Sequence, residues 1–298
     1  MLALSVDIED WYHLPYVTGS PYSTYRDVND FFKKWDDRYD YLSKPCERVL
    51  KLLDDFKIQA TFFIVADIVD NYPGMVEKIV DGGHEIGCHG LHHECAIDPK
   101  TKKAIRGVDN FERQITVAKK KLELMSKERI IGFRAPSAYI AGWMVDSIEK
   151  LGFKYDSSVS VNSLYNKCDE KLKNVTSVPY YPVKGGLRPG EERDIIEIPW
   201  PYFKIAGIKF PTGGGPFLRF GGARYIKLGL YQSLKRGDAV FYFHPIDLSD
   251  EKFPGKFSAK RPFYWAIKGK TVEKRIRFIL KNIDGELGTC RDIWEKMR

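Results

Sequence analysis

Asp7, Glu9 and Asp10 crowd together in "LALSVDIEDWYH" (residues 2–13), directly behind an apolar run in which Leu2, Leu4 and Val6 alternate with smaller residues. Like charges at that spacing raise the energy of the ionised forms unless a cation or a functional need offsets it. A partner stands eighty residues on, in "GHEIGCHGLHHECA" (83–96), where His89 and His93 lie four apart just after a short strand. That spacing lets two imidazoles converge on one metal ion, and zinc or a similar divalent ion takes such nitrogens with a carboxylate oxygen. The acids at 7–10 would supply the oxygen. Strand alternation puts Glu9 on the side of Asp7, whereas a strand that breaks early favours Asp10, so both are candidate ligands. A closed site of Cys88, Cys95 and the histidines is disfavoured, because Cys88 alternates with Ile86 in a buried strand. His84 and His92 are assigned structural roles.

Three further polar residues end apolar stretches. Arg134 in "GFRAPSAY" (132–139), fixed by the nearby Pro136, is suited to pairing with an ionised aspartate. Asp156 in "YDSS" (155–158) follows a strand, and His244 closes "VFYFHPID" (240–247), where an imidazole delivered from a buried strand could act as a general acid. The aromatic stretch 10–25 reads equally as a wall for a sugar ring, with Trp11, Tyr12 and His13 nearest the acids, or as packing of the loop itself. "TGGG" (212–215) permits close backbone approach to a ligand, or tight turns.

The elements that must position these groups alternate. "PCERVLKLLDDF" (45–56) spaces Val49, Leu50, Leu53 and Phe56 as a helical face, "QATFFIVA" (59–66) reads as a buried strand, and 67–83 as helical turns. A short strand at 84–89, a charged helix near 101–125, a strand at 130–136, a helix near 141–151 and a strand near 153–156 follow. Regularity returns at 239–245 and in a helix from about 272 to 286. Such alternation implies parallel strands joined by crossover helices, hence an α/β sheet or barrel, whose chemistry gathers at the carboxyl ends of the strands. Segments 11–44 and 156–224, rich in Pro, Gly and aromatics, are expected as active-site loop regions of one domain spanning 1–298.

Composition narrows the class. Of 298 residues, 43% are hydrophobic and 30% charged, as in a globular protein, and no apolar run is long enough to span a bilayer. "LALSV" is too short for a secretory h-region, so a cytoplasmic location is expected. Lys and Arg number 48 against 40 Asp and Glu, a net +8, but they are dispersed and do not form a nucleic-acid platform; a solvated basic face is the first reading, and anionic small molecules such as nucleotide- or lipid-phosphate-linked sugars the second. Five scattered Cys do not suggest a disulfide framework.

In this order the clusters resemble the NodB-homology polysaccharide deacetylases, or carbohydrate esterase family 4. They are most similar to a bacterial branch associated with exopolysaccharide and O-antigen gene clusters. "SVDIEDW", the whole of 57–94, "GFRAPSAY", "KYDSSV", "PTGGGPFLR" and "FYFHPIDL" carry the resemblance, over about residues 2–250. It implies a distorted (β/α) barrel with fewer than eight complete units. It also implies metal-dependent hydrolysis, usually with zinc, of N-acetyl groups on amino sugars carried on a nucleotide, lipid or oligosaccharide. By that resemblance Asp7 is the general base, His89 and His93 bind metal, Arg134 positions the base, His244 is the general acid, and Asp156 lies in the motif that supports it. Other amide hydrolysis, such as deformylation, or carbohydrate binding without catalysis are the competing expectations.

Overall fold

The computed structural model describes residues 1–35, 39–254 and 266–298; 36–38, inside the expected 11–44 loop region, lie outside the described residues. Strand β1 (Leu2–Ile8) is the hub. One edge pairs in parallel with β9 (Ala239–Phe243) and the other with β2 (Thr61–Ile64), followed outward by β3 (Glu85–Cys88), β4 (Gly132–Phe133), β5 (Tyr155–Asp156) and β6 (Ile196–Glu197), each parallel to its neighbour. This curled sheet of seven strands is a distorted half-barrel. A stub, β10 (Leu287–Gly288), pairs with Leu2 and Ala3 at the start of β1. Between β6 and β9 the wall is completed by single bridges, Ser160 to Trp200 and Gly214 to Tyr242.

Period-two alternation sorts β1 into two layers. Leu2, Leu4, Val6 and Ile8 join the outer core under the helices, with Phe62, Ile64, Ile86, Phe133 and Phe243. Ala3 faces inward with Phe63, Tyr155, Val240 and Tyr242. The interior is tight: a Cβ on Gly87 would meet the Phe63 ring at 2.6 Å, and one on Gly132 would strike Tyr155. The helices that cover the outside are α2 (Ser43–Phe56), α3 (Ile68–Asn71), α4 (Met75–Asp81), α5 (Val108–Ser126), α6 (Gly142–Lys150), α7 (Pro216–Leu234), α8 (Pro245–Leu248), α9 (Lys270–Lys281) and α10 (Cys290–Met297). In α2, Val49, Leu52 and Leu53 are buried, and Lys57 ends the helix in the left-handed conformation, φ 55°. No helix of the described residues is long and apolar enough to cross a membrane.

The expected loop region 156–224 is more regular than its periodicity suggests. Strands β7 (Tyr202–Ile205) and β8 (Ile208–Pro211) form an antiparallel hairpin, and α7 begins at Pro216. Helix α7 kinks at Gly222, φ 77°, which breaks the apolar period that would have revealed it. The Gly run forms the tight turns expected of it, with Gly214 at φ 142° and Gly215 at φ 51°, and abuts β9. Tyr242 N–H donates to the Gly213 carbonyl at 2.8 Å, and a Cβ on Gly214 would strike the Tyr242 carbonyl. Only glycine allows that approach.

The stretch read as a sugar wall or as loop packing forms a small core. Trp11 packs edge-on against Phe31 and Trp35, both at 5.3 Å, with Phe31 supplied by α1 (Val28–Lys34), and Tyr12 stacks on Phe31 at 5.4 Å. Trp11 and Tyr12 are each 3% exposed and His13 is fully buried, so none of the three is available to a sugar ring. Trp11→Ala should therefore act as a core truncation, lowering stability by about 3–5 kcal/mol in urea unfolding.

Candidate metal and proton-transfer site

Because the strands run parallel, residues just past their carboxyl ends share one mouth. Glu9 follows β1, His89 follows β3, Arg134 follows β4, Ser157 follows β5 and His244 follows β9. Glu9, His89, Arg134 and His244 border a cleft of about 380 Å³, and Ser157 lies buried behind Arg134.

Two imidazoles there are aimed by backbone carbonyls. His89 Nδ1 meets the Arg134 carbonyl at 2.8 Å, and His93 Nδ1 meets the His13 carbonyl at 2.8 Å. A carbonyl can only accept, so Nδ1 carries the hydrogen and Nε2 presents a lone pair. Both Nε2 atoms are buried and lack a hydrogen-bond partner. They face Glu9, His89 Nε2 at 3.9 Å from Oε1 and His93 Nε2 at 3.4 Å from Oε2. Two lone pairs and a carboxylate with no proton to share fit a divalent cation and little else. Burial brings His93 down to about 4, keeping it neutral, as a metal ligand must be. Although burial opposes it, the charged His244 beside Glu9 holds that carboxyl well below the usual range.

Asp10 is not part of this cluster. Its Oδ1 accepts from Trp11 N–H at 2.7 Å and its Oδ2 from the Tyr72 hydroxyl at 2.5 Å, and burial pushes it up to about 6. It caps the 3-10 turn Trp11–His13. His13 accepts the Asp10 N–H at Nδ1 and bonds Asp67 through Nε2 at 2.9 Å. The pair thus steadies the carbonyl that aims His93. His92 reaches the same Asp67 at 3.0 Å. His84 has the structural contact expected of it, at 3.3 Å from Ala60 N–H.

Asp7 and Arg134 form a buried ion pair, Nη1 to Oδ1 at 2.6 Å. The guanidinium also donates to Ser5 Oγ at 2.9 Å and to the carbonyl and hydroxyl of Ser157, both at 2.8 Å. Its face lies 4.2 Å over the Phe63 ring. Asp7 Oδ2 looks across the cleft to His244 Nε2 at 3.9 Å, and Glu9 Oε1 is 3.2 Å from the same nitrogen.

Asp156 does not touch His244. Its Oδ1 accepts from Ser158 Oγ at 2.5 Å, beside Glu197, whose Oε1 accepts from Val159 N–H at 2.9 Å. Burial and the charge of Asp156 push Glu197 well above the usual carboxyl range, so this acid pair retains a proton. Its effect is to shape the 157–158 turn that grips Arg134. The residue that backs His244 is Asp247. Its Oδ2 lies 3.0 Å from Nδ1, and its Oδ1 is paired with Arg219 at 3.1 Å. Although burial disfavours the charge, Asp247 and Glu9 raise His244 to about 10. A protonated His244 is unfit as a metal ligand, so of the two candidate clusters among the described residues, Glu9–His89–His93 and Asp7–Glu9–His244, the first suits an ion. Asp247 was legible as the acid three residues after His244, with Pro245 between them opening a helical turn.

This constellation can hold a dication, accept a proton at Asp7 and deliver one at His244, the requirements of metal-assisted hydrolysis. Comparison with known proteins agrees. Residues 32–155 match the family model "Polysaccharide deacetylase", and residues 166–295 match a "Domain of unknown function (DUF3473)". A peptidoglycan deacetylase of Helicobacter pylori is 29% identical over 51% of this chain and 51% of its own. A peptidoglycan-N-acetylglucosamine deacetylase of Bacillus cereus is 32% identical over 36% of this chain and 46% of its own. The chain spans about half or less of the length of the curated relatives it matches. Among solved structures, a probable polysaccharide deacetylase from Pseudomonas aeruginosa PAO1 shares the fold at TM-score 0.57, with 16% identity over 99% of this chain and 89% of that one. Residues 32–155 are thus similar to polysaccharide deacetylases.

His89→Ala should weaken zinc binding by more than the roughly 10–100-fold that loss of an outer partner costs, while Asp10→Asn should stay within that range; calorimetry separates them. Asp247→Asn should lower the His244 pKa, because it removes the carboxylate that favours the charged ring, as an NMR titration of the imidazole would read.

Proposed function

We propose that this protein is a metal-dependent N-deacetylase acting on an amino sugar. The observation that carries this reading is the pair of buried, partnerless Nε2 atoms facing Glu9. Zinc is the ion that two imidazoles and one carboxylate favour. Held there, it supplies Lewis acidity to the acetamido carbonyl and to a water molecule. Asp7, fixed by Arg134, takes the proton of that water as it attacks the carbonyl carbon. His244, kept charged and oriented by Asp247, gives a proton to the departing amine, so acetate and a free amino sugar leave.

The two matched regions act as one catalytic unit, because the cleft draws His89 and Arg134 from the first and His244 from the second, with Asp7 from the strand ahead of both. Tyr16, Tyr22 and Tyr139 line it and supply aromatic surface for a sugar, in place of Trp11 and its neighbours. The "SVDIEDW" opening supports a saccharide of surface-polysaccharide or O-antigen assembly as the substrate. A binding-only relative is disfavoured, since the ion pair at Asp7 and the Asp247–His244 pair are both intact.

Asp7→Asn should retain zinc at unchanged stoichiometry yet lose about 10²–10⁴-fold in kcat for acetate release. A variant working at full rate would remove Asp7 from the base's role.

A further inference from the structure

The cleft contains a cation that the hydrolytic chemistry does not use. Lys167 lies in the part of the chain matched only by a domain of unknown function, and its side chain lines the same cleft as Asp7, Glu9 and His244. Its Nζ donates to the Ser137 carbonyl at 2.8 Å and sits 5.5 and 5.6 Å from the rings of Tyr139 and Tyr165. The other basic side chains of the lining are committed, Arg134 to Asp7 and Arg219 to Asp247. Lys167 has no carboxylate of the described residues within ion-pairing distance. An ammonium has three donors, and the Ser137 carbonyl takes one. Burial brings the group down to about 8, the mark of a charge that has lost water without gaining a counter-ion.

We propose that Lys167 is a specificity residue that binds an anionic substituent, a carboxylate or a phosphate, on the amino sugar seated over Asp7 and Glu9. This rests on the deacetylase reading and narrows its substrate to negatively charged N-acetyl sugars. A neutral hydroxyl would accept an ordinary hydrogen bond from Nζ. An anion adds to that bond the Coulomb attraction of a full opposite charge, in a cleft where water competes poorly. Ser137 holds a left-handed backbone, φ 55°, so its carbonyl is a fixed anchor that keeps the lysine pointed along the cleft wall.

The test compares acetate release from N-acetylglucosamine 1-phosphate, N-acetylmuramic acid and the neutral methyl glycoside of N-acetylglucosamine, using the zinc-loaded full chain. The wild type should favour one of the charged sugars by about tenfold or more in kcat/KM. Phosphate and carboxylate recognition are told apart by which one is preferred. Lys167→Gln keeps a donor for Ser137 and removes only the charge, so the preference should collapse to near one, chiefly through KM; Lys167→Arg should keep most of it. Equal kcat/KM on all three sugars, or an equal fall on charged and neutral sugars in Lys167→Gln, would overturn the proposal and leave Lys167 as a brace for the 137–138 turn. Calorimetry of the same sugars on zinc-loaded Asp7→Asn, with and without Lys167→Gln, reads the preference without turnover. If no sugar releases acetate but a charge preference dependent on Lys167 persists in binding, the deacetylase reading fails and the anion site stands. If binding shows no such preference either, the anion site fails as well.

Discussion

Arg134 ties the two halves of the site together. Its guanidinium holds Asp7, while its own backbone carbonyl aims His89 and its backbone N–H pairs with the Cys88 carbonyl at the end of β3. Proton acceptor and metal ligand are thereby registered through one residue. The guanidinium is fully buried, and its charge is offset by Asp7, the Ser157 oxygens and the Phe63 ring. Removing one member of such a buried pair typically costs about 3–5 kcal/mol, because the other is left charged and unsolvated. The second layer follows from this need. Ser157 is presented by a turn that Asp156, Ser158 and Glu197 shape, and Phe63 has room only because Gly87 lacks a side chain.

Parallel topology does the rest of the positioning. All seven main strands point their carboxyl ends to one mouth, so residues far apart in sequence meet without any long-range contact being specified by itself. The metal ligands are then oriented by carbonyl acceptors on Nδ1, which settles the tautomer before any ion arrives. His244 is treated in the opposite way: a carboxylate on Nδ1 keeps it charged. His93 and His244 of one cleft thus differ in charge, because burial keeps His93 neutral while the Asp247 carboxylate on the far nitrogen of His244, with Glu9, keeps that ring charged.

Much of the frame was legible in the residues. A parallel α/β sheet or barrel follows from alternation of strand and helix signals, and its incomplete barrel form was implied by the family resemblance. The gathering of Glu9, His89, Arg134 and His244 at one mouth follows from their places just past strand ends. The choice between Glu9 and Asp10 stayed open in the sequence; it fell to Glu9 because β1 keeps its pleat from Leu2 to Ile8. Less legible were the aromatics at 11–13, since composition cannot tell a ring that packs a loop core from one that faces a ligand. The same limit hid α7, whose kink at Gly222 scrambles its period, and Asp156, whose likeness to a supporting motif said nothing of Asp247 standing nearer.

What the amino-acid sequence determined alone is the set of chemical groups and the strand ends they occupy, because hydrophobic period and turn residues are local properties. Only the folded chain decided which oxygen of which acid faces the imidazoles and which ring nitrogens lose all partners. It also decided where Lys167 meets the cleft. Those outcomes depend on side-chain direction, burial and the competition of neighbouring donors for each lone pair, and these exist only once distant segments are packed together.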